Sequence, residues 1–391
     1  MPLRTTAMFR RNSLLLFAVL LAFCVPGSAQ AYQQTNFVSD IQGLAPTPDA
    51  NLKNPWGLIA SPTSPWWVSD NNAGVSTLYN GNTGAVLSLV VNIPPVVTDT
   101  TTGKPKGTGT PTGVVFTAGS GPGSTFQFVN NGALTTAIFT FVSEDGIISA
   151  WPGKGDALPV IDNSATPNAD NGAVYKGATV AQMVPGGPSF LYVANFRSGQ
   201  IEVYDNNFKL VDLAGTGDRD DLPFRDREIP RGYAPFNVQE VNGSLYVTYA
   251  RQNATRHDDL DFPGQGFVDK FSPNGKLLQR LQRGPWLNAP WGVALAPANF
   301  GFFSNHLLIG NAGSGQIAVY DPITGRFDGL LRDANGHALE NDRLWALRFG
   351  NDHAAGPSNW LFFTAGISDE AHGLFGFFAP ADSSAPETDD N

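Results

Sequence analysis

Asn54-Pro55-Trp56-Gly57-Leu58 and Ala289-Pro290-Trp291-Gly292-Val293 are two copies of one phrase, set far apart in a chain of 391 residues. Four further segments fall in step with them: Thr110-Pro111-Thr112-Gly113-Val114, Tyr175-Lys176-Gly177-Ala178-Thr179, Ala234-Pro235-Phe236-Asn237-Val238 and Arg343-Leu344-Trp345-Ala346-Leu347. Between the second residues of these segments (55, 111, 176, 235, 290 and 344) the spacing stays within 54 to 65 residues. Self-similarity at a near-constant period marks an array of like units, none of which can bury its apolar face alone.

Each start is followed by an apolar stretch that ends in a turn, as in Trp67-Val68-Ser69-Asp70-Asn71, Leu191-Tyr192-Val193-Ala194-Asn195 and Leu308-Ile309-Gly310-Asn311. An alternating strand comes next. Gly199-Gln200-Ile201-Glu202-Val203-Tyr204-Asp205 and Gly315-Gln316-Ile317-Ala318-Val319-Tyr320-Asp321 are nearly the same words. A last strand such as Leu277-Leu278-Gln279-Arg280-Leu281 completes most units. Four short strands per unit, alternating apolar and polar, predict a propeller blade.

Six units are visible, and the sixth stops after its third strand. Ahead of the first unit stands one spare strand, Asn36-Phe37-Val38-Ser39-Asp40. Pairing it with the last blade closes the ring and removes an exposed sheet edge. The expected fold is therefore all-β, a six-bladed β-propeller closed by an N-terminal strand that completes the last blade. A two-domain β-sandwich would have to treat the phased repeat as chance. Gly 43 and Pro 29 suit a chain of many turns, and 27 Phe with 8 Trp supply an ample core.

The first 31 residues read as an export signal. Arg4, Arg10 and Arg11 form a basic start, Leu14 to Val25 an apolar run too short for a comfortable membrane span, and Ala29-Gln30-Ala31 a small-x-small cleavage pattern. The mature chain then begins near Tyr32, with the propeller over 32–380 and an acidic, disordered tail over 381–391. Arg10-Arg11 admits the twin-arginine route, but Ser13 stands where that signal prefers a bulky apolar residue, which favours general secretion. A lipoprotein signal fits less well, because Phe23 precedes Cys24. Localisation is read as secreted or periplasmic. Cys24 is the single cysteine, so cleavage leaves no disulfide, thiol nucleophile or thiolate metal site. It also moves the formal net charge from −10 to −13, which argues against nucleic acid or an anionic membrane as partner. No span remains in the mature protein.

The phrase from Leu191 to Asp205 resembles NHL-type repeats. Asn54-Pro55-Trp56-Gly57, Gly232 to Gln239, His257-Asp258-Asp259 with Gly264 to Asp269, and Glu370 to Gly376 together resemble a family of exported bacterial propeller proteins. Some members of that family carry a PEP-CTERM sorting tail, which this chain lacks. The resemblance implies the fold and export, and it brings no catalytic role with it.

In a propeller, the loops joining second to third strands gather around the mouth of the axial channel with the connections between blades. That concave face is the default ligand site. Here those loops carry Asp70-Asn71-Asn72, Glu144-Asp145, Asn195, His257-Asp258-Asp259 with Asp261, Asn311, and Asp369-Glu370 with His372. Oxygen donors converging from several blades (Asp70, Asn71, Glu144, Asn195 and Asn311) would suit Ca²⁺, and two histidines another divalent metal such as Zn²⁺. Against this, Asx residues in tight hairpins are selected for turn chemistry alone.

The fourth loop, Arg251 to Gly266, is longer than any hairpin needs, so His257, Asp258, Asp259, Glu370 and His372 are the ligand-binding candidates. Trp56, Trp291 and Trp345 read as inter-blade packing in preference to a sugar platform, and Gly57, Gly113 and Gly292 as points of close backbone approach. Gly-x-Ser-x-Gly, His-Glu-x-x-His and phosphate-loop signatures are absent. Two functions follow. One is a binding or scaffold module that uses the loop-rich face for a protein, a glycan or a small molecule. The alternative is a divalent-metal-dependent, lactonase-like hydrolase on the same face, with His257 or His372 as base.

Overall fold

The computed structural model describes residues 1–2, 31–96, 107–119, 121, 123–214 and 222–381. Residues 3–30, which carry most of the expected export signal with Cys24, lie outside the described residues, as does the expected tail beyond 381.

Six sheets, antiparallel but for the short pairing of Tyr32–Ser39 with Thr47–Pro48, form a ring, each blade beginning on the phrase that defines the repeat, and a separate hairpin joins Gln127–Asn130 to Ala133–Thr136. The innermost strands are Pro55–Ile59, Pro111–Phe116, Tyr175–Gln182, Tyr233–Val241, Pro290–Leu295 and Leu344–Phe349. Blades 1, 2 and 5 add three further strands in sequence order, ending on Val91–Asn92, Leu158–Asp162 and Phe327–Leu330. Blade 3 departs from the four-strand expectation. It has three strands among the described residues, Tyr175–Gln182, Ser189–Asn195 and Gln200–Tyr204. Beyond Tyr204 only a bridge to Leu210 and the bond from Val211 N to Val203 O continue the ladder. Blade 4 carries the extra strand Asp259–Leu260 from its long loop, paired to Arg251–Gln252.

The ring closes as the spare strand predicts. Tyr32–Ser39 pairs antiparallel with Leu374–Pro380, although the closing strand begins four residues earlier than the sequence suggested. Tyr32 explains the extension: its hydroxyl donates to Phe300 O and accepts from Phe303 N on blade 5, and its ring packs on Phe300. One strand therefore completes blade 6 and ties it to its neighbour.

Inner strands approach so closely that a side chain has no room at certain positions. A Cβ on Gly57 would lie 2.4 Å from Thr112 O of blade 2, and one on Gly292 2.5 Å from Trp345 O of blade 6. The glycines serve close approach, as their place in the repeat implied. The channel they surround is plugged. Trp56 and Trp345 stack with ring centroids 3.6 Å apart, and Trp291 and Phe236 meet both edge-on at about 6 Å. All four rings are buried. The edge-on pairs have the favoured edge-to-face geometry, and the buried cluster holds blades 1, 4, 5 and 6 at the axis. Among the described residues there is no α-helix, and no helix long and apolar enough to cross a membrane.

Candidate ligand site at the mouth of the axial channel

Lys176 is the second residue of the first strand of blade 3, where most units have proline. The substitution turns a strand start into a charge on the axis. Its ammonium is buried over the face of Trp56, 5.1 Å from the ring centroid. It bonds the Glu144 carboxylate of blade 2 and lies 3.7 Å from Asp258 Oδ1 of blade 4. Burial by itself would lower the Lys176 pKa. The adjoining Glu144, then Asp258 and Asp259, more than offset this and hold it above the ordinary lysine value.

Across the mouth, Arg343 stands immediately before the first strand of blade 6. It reaches Asp259 at 3.3 Å, Asp261 at 3.6 Å and Glu370 at 3.4 Å. Its backbone is left-handed, with φ 50°, and Asn54 and Ala289 share that conformation (φ 46°) at the same point of their units. The strain therefore belongs to the blade junction. Glu370 accepts from Asn54 Nδ2 at 2.8 Å, and Asn54 Oδ1 accepts from Trp345 Nε1 at 3.0 Å, which joins the ionic layer to the aromatic plug below. Asn71 Nδ2 donates to Glu144 at 2.9 Å and Asn72 Nδ2 to the Glu370 carbonyl at 2.7 Å. Blades 1, 2, 3, 4 and 6 thus share one polar network above the plug. Blade 5 meets it sterically: a Cβ on Gly313 would lie 2.5 Å from Asp261 Cβ.

The long blade-4 loop is a strap over this layer. Asn253 fastens its tip by accepting from His257 N and donating to Asp258 Oδ2. His257 Nδ1 lies 2.6 Å from Asp258 Oδ1, and this bond, with Lys176 beside it, pulls the Asp258 carboxyl down to about 2. Asp259 and Glu370 go the other way. Burial raises both, with Arg343 opposing and neighbouring carboxylates adding to the rise.

The predicted residues divide by place. His257, Asp258, Asp259, Glu370, Glu144 and Asn71 come together at the mouth. His372 does not face His257; its Nδ1 is 2.8 Å from Asp40 Oδ2, beyond the end of the closing strand. Asp70 is fully buried in its own hairpin, where one oxygen accepts from Thr77 N and Oγ1, and burial pushes its carboxyl well up. Asn195 accepts from Val174 N and Ser198 N and donates to Glu202. Asn311 accepts from Asn288 N and donates to the Gln316 carbonyl.

Glu144, His257 and Asp258 each offer a ligand atom within 4.8 Å of the others. Lys176 already lies against both carboxylates, so a divalent ion there would sit beside a buried ammonium. Lys176, Arg343 and Asn54 were not among the expected site residues. Two of them broke the pattern: a lysine in the proline slot, and an arginine where the other units have asparagine, threonine, tyrosine or alanine; Asn54 carried no such signal.

Fold and site define a six-bladed β-propeller with an ionic network over an aromatic plug. No protein-family model matches the chain. Two uncharacterized proteins of Acanthamoeba polyphaga mimivirus resemble it along most of its length. One is 28% identical over 363 residues, covering 90% of this chain and 87% of that protein. The other is 29% identical over 350 residues, covering 87% and 78%. A solved glucose dehydrogenase superposes with TM-score 0.50 at 13% identity, over 88% of this chain and 99% of that one. At such identity the likeness is of fold alone, and it agrees with the propeller.

Proposed function

We propose that this chain is an exported binding module of the NHL-like bacterial propeller type, with its ligand seated on the loop-rich face over the plugged channel. The observation that carries the reading is the network of Lys176, Glu144, Asp258, Asp259, Arg343 and Glu370, drawn from four blades and converging on one axis. Most of these charges are desolvated, and charged groups taken out of water and held by fixed partners recognise polar ligands with high selectivity. Export rests on the leader pattern of residues 1–31, and the propeller domain is placed at 32–380.

Arrayed glycans and peptides probed with the labelled protein, beside an Arg343→Ala variant of checked fold, test the placement. Signals that fall about tenfold or more in the variant support the mouth as the site, and signals unchanged by it overturn that placement.

The hydrolase reading is favoured by one observation, the grouping of Glu144, His257 and Asp258. Metal analysis with thermal unfolding before and after chelation separates the two. A stoichiometric ion whose removal lowers the melting temperature would move the function to the metal-dependent class.

A further inference from the structure

Lys176 and Arg343 have partners of two kinds. Glu144 and Glu370 belong to blades 2 and 6 and are fixed by Asn71 and Asn54. Asp258, Asp259 and Asp261 come from the strap. Each axial cation therefore keeps one scaffold carboxylate and takes the rest of its complement from an inserted loop. Blades 3 and 5 turn between second and third strands in a few residues, Asn195 to Gln200 and Asn311 to Ile317. The fold does not need a strap at this position.

The strap is held by charge more than by packing. Its two-residue strand pairs only with Arg251–Gln252, the Asp258 side chain is 58% exposed, and Leu260 and Phe262 face solvent. A segment with little apolar burial opens at low cost. Beneath it lies the aromatic plug. Trp56, 2% exposed and directly under the Lys176 ammonium, has an indole N–H with no acceptor. The other two indoles of the plug donate to Lys176 O and Asn54 Oδ1. The two cations above the plug ask for a ligand rich in acceptors.

We infer that the strap is an internal stand-in for the ligand: Asp258 and Asp259 occupy positions that the paired carboxylates of a small dicarboxylate take when the strap lifts. The inference rests on the mouth being the ligand site and adds the ligand's chemistry and its control. Lifting the strap leaves Lys176 with Glu144 and Arg343 with Glu370, and a dicarboxylate restores the complement that the strap supplied.

The test uses the whole chain with Asp258→Asn and Asp259→Asn combined, which removes the two stand-in carboxylates with near-isosteric side chains and leaves Asp261 in place. Succinate and citrate are titrated by calorimetry. A synthetic peptide covering 253–262 is the peptide-borne source of the same carboxylates. The doubly substituted chain is expected to bind at least one probe about tenfold or more tightly than the unmodified chain, because the two carboxylates that compete for the same positions are gone. Adding Lys176→Gln, or Arg343→Gln if the first fails to fold, should abolish that gain. Preference for succinate or citrate over the peptide identifies a free small molecule, and the reverse a carboxylate-bearing peptide. Equal affinity of the two chains for every probe overturns the inference, as does a gain that survives loss of Lys176. If an array-identified ligand still depends on Arg343 while no carboxylate probe binds, the stand-in falls and the mouth remains the site.

Discussion

Asp70 and Asp259 are both buried carboxylates in connections between a second and a third strand, yet they do different work. Asp70 looks back into its own hairpin and takes the Thr77 amide and hydroxyl. Asp259 looks across the axis to Arg343 of another blade. The same contrast separates Asn195 and Asn311, which tie their own turns, from Asn54 and Asn71, which hold the carboxylates of other blades. What decides the role is reach. Asp70, Asn195 and Asn311 are consumed within their own blade, whereas Asn71 and Glu144, in turns as short, and the side chains at blade junctions or on the insertion face the axis and meet counterparts from other blades.

The largest effect should come from the axial side. Lys176→Met removes the cation and leaves Glu144 unbalanced over an aromatic floor. Removing one member of a buried pair costs about 3–5 kcal/mol. Urea unfolding should register a loss of that size, and Glu144→Gln added to it should recover most of the loss. A cost as small in the single variant as in the double would place the pair in effective contact with water and blunt the contrast.

Asp70→Ala probes the other side. It strands the buried Thr77 amide and opens a small hole, for about 2–3 kcal/mol. Because Asp70 has no partner in the mouth network, this loss should leave any ligand affinity at the mouth unchanged. A variant that lost binding as well as stability would erase the division drawn here.

A third carboxylate marks where neither rule applies. Asp269, on the third strand of blade 4, is buried beside Asp226, which Arg280 grips with two hydrogen bonds. Burial first, then Asp226 and Glu228, push the Asp269 carboxyl up to about 8, with Arg280 opposing. Its folded value lies above the unfolded one, so the folded state binds the extra proton. This contribution is intact below about pH 4 and is lost progressively as pH rises towards 8. Between pH 6 and 8 the loss should be on the order of 2 kcal/mol. Asp269→Asn should flatten that slope in denaturant melts taken across the range, and an unchanged slope would assign it to other groups.

The legibility of these roles follows the same geometry. Blade starts, the strand alternation and the ring closure repeat in the chain, so periodicity and pleat exposed them, down to the spare strand that pairs with Leu374–Pro380. The glycines at the axis were legible too, because their neighbours are dictated by the repeat. His372 was not, since its partner Asp40 arrives only when the ring closes. Lys176 and Arg343 announced themselves only as departures from the consensus of the units. A departure says that a position is special without saying what it meets. Sequence proximity exposed the strap's acids, but their cations come from blades 3 and 6.

The smallest expected effect is the finest test of reach. Asp258 joins the network from the strap with its side chain 58% exposed, so water screens its attraction to Lys176, and exposed pairs are worth about 0–1 kcal/mol. Asp258→Asn should therefore cost less than about 1 kcal/mol in urea unfolding, well below the loss for Lys176→Met. Hydrogen exchange should nevertheless speed up in 253–260, because Asn253 and His257 lose the charge that fastens the tip. A local change without a global one would show that the strap opens independently of the ring. A large global loss would instead make Asp258 part of the axial core, as buried in its energetics as Asp259.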